Sequence, residues 1–259
     1  MLACPFVWYD LMTADQPAAT RFYESVAGWT SADSGLTDRE YKLMFNGPAW
    51  TSPMVAGIMG MPDHLKSAGV RSAWNGHIGV DDVDAYTEKV VAAGGSVHRA
   101  PENIPNGIGR FSAVAGPHGA VFVLFRGAGQ PPAPPPAGTP GMVGWNELHA
   151  GDGKAAFAFY SELFGWTDTG AVDMGLIGIY QMFSTGCAPV GGIMTKTPET
   201  PAPTWVFYIN VDGIDAGVER ITSGGGQVVM GPQTVPGGSW IAQAIDPEGT
   251  LFAITSLTK

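Results

Sequence analysis

Apolar residues along this chain fall into short runs broken by polar, glycine- and proline-containing stretches. Examples are PFVWYDLMT, YKLMFNG, VAGIMGM, WNGHIGV, RFSAVAG and AVFVLF in the first half, and VGWNELHA and TWVFYINV in the second. Runs of this length bounded by turn-forming residues predict β-strands. One intervening stretch has a different period. In PAATRFYESVAG, Ala18, Phe22 and Val26 recur every fourth residue, which predicts a helix with one buried face. Asp15 precedes it and Gly28 follows thirteen residues later, and the same spacing separates Asp82 from Gly95, Asp152 from Gly165 and Gly213 from Gly226. An aspartate before a helix offers its carboxylate to unpaired backbone N–H groups, and a glycine after it accepts a positive φ. Each bracketed helix follows one strand-like run and precedes about three more. The pattern therefore predicts a β-α-β-β-β unit used four times.

The units are themselves paired by sequence. WYDLMTADQPAATRFYESVAGWT parallels WNELHAGDGKAAFAFYSELFGWT at a constant offset of 137 residues. VAGIM at 55–59 then matches VGGIM at 190–194, VDDVDA matches VDGIDA, and GPHGAVFVLF at 116–125 matches DPEGTLFAIT at 246–255. The matches keep their order, so the chain is a duplication. Between the copies lies a proline-rich stretch, GQPPAPPPAGTPG, whose composition predicts a stiff, extended linker. The organisation expected is a first module at 1–128, a linker at 129–141 and a second module at 142–259.

Composition narrows the function classes. The chain has 259 residues, 45% hydrophobic and only 14% charged, as expected of a packed globular protein. A formal net charge of −10 and the lack of a Lys/Arg cluster argue against nucleic acid or an anionic membrane as partner. No apolar run is long enough to span a bilayer, and MLACPFVWYDL reads straight into a strand with no signal-peptide pattern. Two cysteines, Cys4 and Cys187, are too few for a disulfide framework, which points to a reducing, cytoplasmic setting. GxSxG, P-loop and Rossmann fingerprints are missing, and the glycine-rich TSGGGQ at 222–227 closes a helix instead of opening one.

The D-x-x-A helix starts, the FY within the helix, the G-W after it and the D-P-x-G turn at Asp246–Gly249 together resemble the vicinal oxygen chelate superfamily of glyoxalases, extradiol dioxygenases and bleomycin-resistance proteins. The doubled arrangement is similar to tandem glyoxalase-like proteins of actinobacteria. The resemblance covers nearly the whole chain and implies an α+β fold: four βαβββ units forming two modules with curled mixed sheets around clefts. It also implies where a metal would be bound. Registered on the helix-capping position, the family's ligand positions fall on Trp8, Asn75 and Val123 in the first module and on Trp145, Val206 and Ala253 in the second. Those side chains lack the carboxylate, imidazole or thiolate set that a divalent ion wants. No metal or other cofactor is therefore expected.

Residues two apart on a strand share a face. Asp10 then faces with Trp8, His77 with Asn75, Glu147 and His149 with Trp145, and Tyr208 with Val206. A carboxylate and an imidazole on an apolar wall can act as general base and acid, so Glu147, His149, Asp10 and His77 are the candidate catalytic groups. The matching positions of Asp10 and Glu147 suit a shared structural hydrogen bond equally well. Trp8, Asn75, Arg110, Trp145, Tyr208 and Trp240 are the candidate ligand-binding residues, with Arg110 as an anion anchor and Trp240 at its equivalent place. Trp50, Trp74 and Trp205 are further candidates for a stacking wall, Trp29 and Trp166 read as core, and His64, His98 and His118 as loop residues. Two function classes remain: metal-independent lyase- or isomerase-like chemistry on a small carbonyl or aromatic metabolite, and sequestration of such a compound without turnover. The protein is expected as a monomer with its modules paired internally, or as a homodimer.

Overall fold

A computed structural model describes residues 3–37, 39–129, 135–186 and 188–259. Much of the linker, 130–134, and Cys187 lie outside the described residues.

The βαβββ unit occurs four times. The first comprises β1 (Phe6–Thr13), α1 (Gln16–Ala27), β2 (Thr30–Asp33), β3 (Tyr41–Phe45) and β4 (Met54–Gly60), followed by a short α2 (Asp63–Ser67). The second comprises β5 (Ala73–Gly79), α3 (Val83–Ala92), β6 (Ser96–Ile104), β7 (Gly109–Ala115) and β8 (Val121–Gly127). The third is β9 (Val143–Ala150), α4 (Gly153–Phe164), β10 (Thr167–Asp173), β11 (Ile179–Ser184) and β12 (Pro189–Thr195). The fourth is β13 (Thr204–Asn210), α5 (Ile214–Ser223), β14 (Gln227–Thr234), β15 (Trp240–Ile245) and β16 (Leu251–Ser256). They make two eight-stranded mixed sheets, ordered β2-β3-β4-β1-β5-β8-β7-β6 and β10-β11-β12-β9-β13-β16-β15-β14. Within each unit the first strand runs parallel to the last and the remaining pairings are antiparallel, as in β9–β12 and β11–β12.

The helix starts follow the sequence reading. Asp15, Asp82 and Asp152 accept hydrogen bonds from the backbone N–H three residues on, at Ala18, Ala85 and Ala155. Gly28 and Gly165 close α1 and α4 in the left-handed region, at φ 72° and 68°. The other two helices end earlier than their spacing predicts. There the left-handed residues are Gly94 and Gly225, one position before the expected glycines. Gly95 N–H reaches back to Val90 and Gly94 N–H to Val91, the doubled closure of a Schellman turn, and Gly226 and Gly225 repeat it. Gly95 is required for a different reason: a Cβ there would lie 2.5 Å from the Ala115 carbonyl. His98 is on β6 and His64 on α2, not in loops.

By contact density the chain divides into two compact units that differ from the sheets. The first joins the second and third repeats, and the second joins the first and fourth, with breaks after Trp8, Trp74, Gly144 and Val206. In the first unit, Trp166 stacks on Phe183 at 4.2 Å, Tyr86 stacks on Phe164, and Trp166 Nε1 donates to the Cys4 carbonyl. In the second, Tyr23, Trp29, Trp74 and Phe252 form the aromatic core, Arg220 Nε donates to the Val26 carbonyl, and Trp29 Nε1 donates to the Gly141 carbonyl. Trp74 and Trp205, expected as walls for a ligand, are buried and donate to the hydroxyls of Tyr23 and Tyr160. No helix is long and apolar enough to cross a membrane.

Candidate functional site

In the first compact unit, β9 and β11 assemble a buried polar chain from four side chains. Trp145 Nε1 donates to Tyr180 Oη at 2.7 Å, Tyr180 Oη donates to Glu147 Oε2 at 2.9 Å, and Glu147 Oε1 meets His149 Nε2 at 2.7 Å. Glu147 and His149 are only 7% and 9% exposed, so their charges are sheltered from water. Burial, and after it the neighbouring Glu147 charge, holds the Tyr180 phenol well above its ordinary range. Tyr180 is thus a hydrogen-bond donor at any working pH. A carboxyl oxygen and a ring nitrogen this close share one proton between Glu147 Oε1 and His149 Nε2. That leaves Nδ1, which is buried and meets no hydrogen-bond partner among the described residues. A buried imidazole nitrogen costs its desolvation unless a ligand or water completes it.

The packing that permits this chain is local and repeated. Gly192 on β12 is in register with Glu147 on β9 on one side and with Met182 on β11 on the other. Tyr180, two residues before Met182, lays its ring diagonally over that bare glycine to reach the carboxylate. A Cβ at Gly192 would lie 2.1 Å from the tyrosine ring. The second compact unit contains the same device. Gly57 is in register with Asp10 and Leu43, and Tyr41, two residues before Leu43, donates to Asp10 Oδ1. A Cβ at Gly57 would lie 1.9 Å from the Tyr41 hydroxyl. The sequence reading missed both tyrosines. Their signal was present in the matching YKLMF and YQMFS segments and in the glycine shared by VAGIM and VGGIM. It becomes legible only once β3 and β11 are known to lie next to β4 and β12. The two copies differ in the length of the carboxylate, Asp10 against Glu147, and in its neighbour: His149 follows Glu147 by two residues, where the first copy has Met12.

The other expected residues are distributed differently. Trp8 is half-buried at the position matching Trp145, and Asn75 is half-buried on β5. His77 is buried, in register with Val123, with its ring edge-on to Phe125 at 5.9 Å. Tyr208, in the second compact unit, accepts a hydrogen bond from Gln243 Nε2 at 2.8 Å. Arg110 and Trp240, contrary to expectation, stand on the opposite sheet face. Arg110 is three residues from Ala113, which is in register with Val123 and, through it, His77. An odd separation on an unbroken strand reverses the face. The Arg110 guanidinium is instead bidentate with Asp84 of α3, at 2.6 and 2.7 Å, and also donates to Asn103. Trp240 is three residues from Gln243 and lies beneath Lys259 Nζ. Trp50 is 64% exposed.

The sequence matches the Glyoxalase/Bleomycin resistance protein/Dioxygenase superfamily over residues 6–124 and again over 143–254. The chain belongs to this superfamily. Among its relatives, the Mycobacterium tuberculosis protein named "Putative glyoxylase CFP32" is 34% identical over 251 residues, spanning 95% of this chain and 92% of that protein. Anthracycline biosynthesis protein DnrV of Streptomyces peucetius is 33% identical over 129 residues, 44% of this chain and 46% of its own. Among solved structures, the Mn(II)-bound glyoxalase of Novosphingobium aromaticivorans superposes with a TM-score of 0.68 at 16% identity, covering 100% of this chain and 83% of that one. The 2,3-dioxygenase LapB of Pseudomonas sp. KL28 gives 0.65 at 14% identity, covering 99% and 93%. At such identities the likeness establishes the fold.

At the positions that the family resemblance assigns to metal ligands, the side chains do not suit a divalent ion. Trp8, Asn75, Val123, Trp145, Val206 and Ala253 supply at most one amide oxygen between them. No group of three His, Cys, Asp or Glu side chains placed to share an ion occurs among the described residues. Glu147 and His149 are already engaged with each other.

Proposed function

We propose that the chain binds a small carbonyl-bearing or aromatic metabolite against β9 and moves a proton on it without a bound divalent ion. The observation that carries this reading is His149 held on Glu147 in the third repeat, where the otherwise matching first repeat has methionine. The tyrosine–carboxylate pair is common to both copies and suits a structural role. The imidazole is the addition that has a use in chemistry. Glu147 fixes the ring and supports an imidazolium, and Nδ1 takes a proton from a carbon next to the carbonyl and returns it to the neighbouring carbon or oxygen, a net isomerisation. Tyr180 keeps the carboxylate oriented, and the Trp145 ring supplies apolar surface. The resemblance to a protein named as a glyoxylase supports the carbonyl version.

The second reading is sequestration without turnover, and the partial likeness to an anthracycline biosynthesis protein favours a larger aromatic ligand for it. Aldehydes, hydroxy-carbonyl compounds and polycyclic aromatics are to be screened by tryptophan fluorescence with product analysis. Turnover that falls about 10²-fold or more in Glu147→Gln and in His149→Ala, while Asp10→Asn retains it, is the expected result for a proton-transfer pair. Binding without product places the protein among the sequestering type. Metal analysis finding about one Mn, Fe, Ni or Zn per chain, together with activity lost to a chelator, overturns the metal-independent reading.

A further inference from the structure

The two halves differ sharply at one buried turn. In the second compact unit the turn before β16 begins at Asp246. Its Oδ1 accepts from the backbone N–H of Glu248 at 3.0 Å and of Thr250 at 2.8 Å, and its Oδ2 accepts from Tyr23 Oη at 3.1 Å. Tyr23 Oη in turn accepts from Trp74 Nε1 at 2.9 Å. Three donors thus converge on one buried carboxylate. The matching turn before β8, in the first compact unit, has the same backbone closure. Gly116 N–H donates to Ala120 and Gly119 N–H to Gly116, as Asp246 N–H does to Thr250 and Gly249 N–H to Asp246. The tyrosine and tryptophan are kept as well, with Trp205 Nε1 donating to Tyr160 Oη at 3.3 Å. Only the carboxylate has gone, since Gly116 replaces Asp246.

The donors that served the carboxylate remain. The Tyr160 proton and the N–H groups of His118 and Ala120 meet no acceptor among the described residues. Tyr160 is 1% exposed, and burial holds its phenol above the ordinary range, so it stays a donor. Beside these groups is a cavity of about 60 Å³, lined by Gly116, His118, Ala120 and Tyr160 and by apolar side chains that include Leu148 and Ala156. No acidic side chain lines it. Exposed Pro117 and His118 form part of its wall, giving a route from solvent. The space exceeds what a single water needs. Three convergent donors in an apolar setting match a carboxylate better than a neutral molecule or a cation.

We propose that this cavity is a binding site for a small aliphatic monocarboxylate of formate or acetate size, which takes the place that Asp246 fills in the other half. Leu148 and Ala150 line the cavity from the face of β9 opposite Glu147 and His149, so its fate does not depend on the chemistry assigned to His149. Gly116 is not in the left-handed region, and a Cβ there meets nothing closer than 3.6 Å, so the aspartate can be restored by substitution.

The test uses sodium formate and sodium acetate against sodium chloride at matched ionic strength. A saturable rise in Tm with either carboxylate, absent in chloride, is expected for the wild type. Gly116→Asp should have a raised Tm and no further response, because its own carboxylate occupies the donors. Line broadening of ¹³C-formate and ¹³C-acetate on the full-length protein reads the same binding directly, should Gly116→Asp fail to fold. Tyr160→Phe should weaken that binding about tenfold, one hydrogen bond to a charged group. Equal responses to carboxylate and chloride, an unchanged response in Gly116→Asp, or no binding at millimolar concentration would show that water alone fills the cavity, and would overturn the proposal.

Discussion

At the scale of single residues, the most consequential contrast is between groups whose partners are close in sequence and groups whose partners are not. Asp15, Asp82 and Asp152 were recognisable as caps because an aspartate bonds a backbone N–H three residues away. Asp246 belongs to the second kind. Its local turn was recognisable, but its bond to Tyr23, 223 residues away, was not. Burial pushes the Asp246 carboxyl above the usual carboxylate range, against the opposing pull of the Thr250 and Glu248 N–H groups and Tyr23. A raised acid holds its proton more tightly folded than unfolded. Its contribution to stability is therefore complete below the unfolded value of about 3.9 and is lost as pH rises through the folded value. Denaturant titrations at several pH values, compared with Asp246→Asn, should show the wild-type advantage falling across that window and then levelling. An advantage that grows with pH would contradict the assignment. Glu147 and His149 could be placed together from their i, i+2 spacing, whereas the face that Arg110 and Trp240 present could not be read, because their strands' parity cannot be counted from a helix cap.

At the scale of elements, the bare glycines of β4 and β12 decide whether a tyrosine can cross a strand to its carboxylate. Gly192→Ala sets a Cβ 2.1 Å from the Tyr180 ring, so the ring must leave its place over the strand. The expected cost is about 1–3 kcal/mol, the scale for overpacking in a filled interior, with loss of the Trp145–Tyr180–Glu147 bonds. Adding Tyr180→Ala to Gly192→Ala should recover part of that loss, because taking away the ring removes the clash. Chemical denaturation of the two single variants and the pair forms a cycle with a coupling that additive effects would lack. The four-fold strand–helix–strands order was legible in the sequence because each repeat carries its own periodicity and cap. Which strand lies beside which is set by long-range pairing, and with it went the tyrosines.

At the scale of the whole molecule, each compact unit draws one repeat from each half of the chain. Phe122 packs on Phe159, Tyr160 and Phe164, and Gly226 leaves room for Phe22, where a Cβ would come within 3.0 Å of its ring. Residues 1–128 and 142–259 expressed separately would each uncover aromatic side chains whose burial is worth about 1.5–3 kcal/mol apiece. The halves should aggregate alone and re-form one complex when co-expressed, as read by size-exclusion chromatography and calorimetry. Halves that stay monomeric and melt at the temperature of the intact chain would refute this. The doubled turn with its missing aspartate carries a further consequence, one of history. Two identical subunits encoded once cannot alter one turn without altering the other. A chain that holds both copies can keep Asp246 in one and give it up at Gly116 in the other, or keep Met12 in one and set His149 in the other. Covalent union gives this protein two versions of one ancestral part, each able to drift toward its own task.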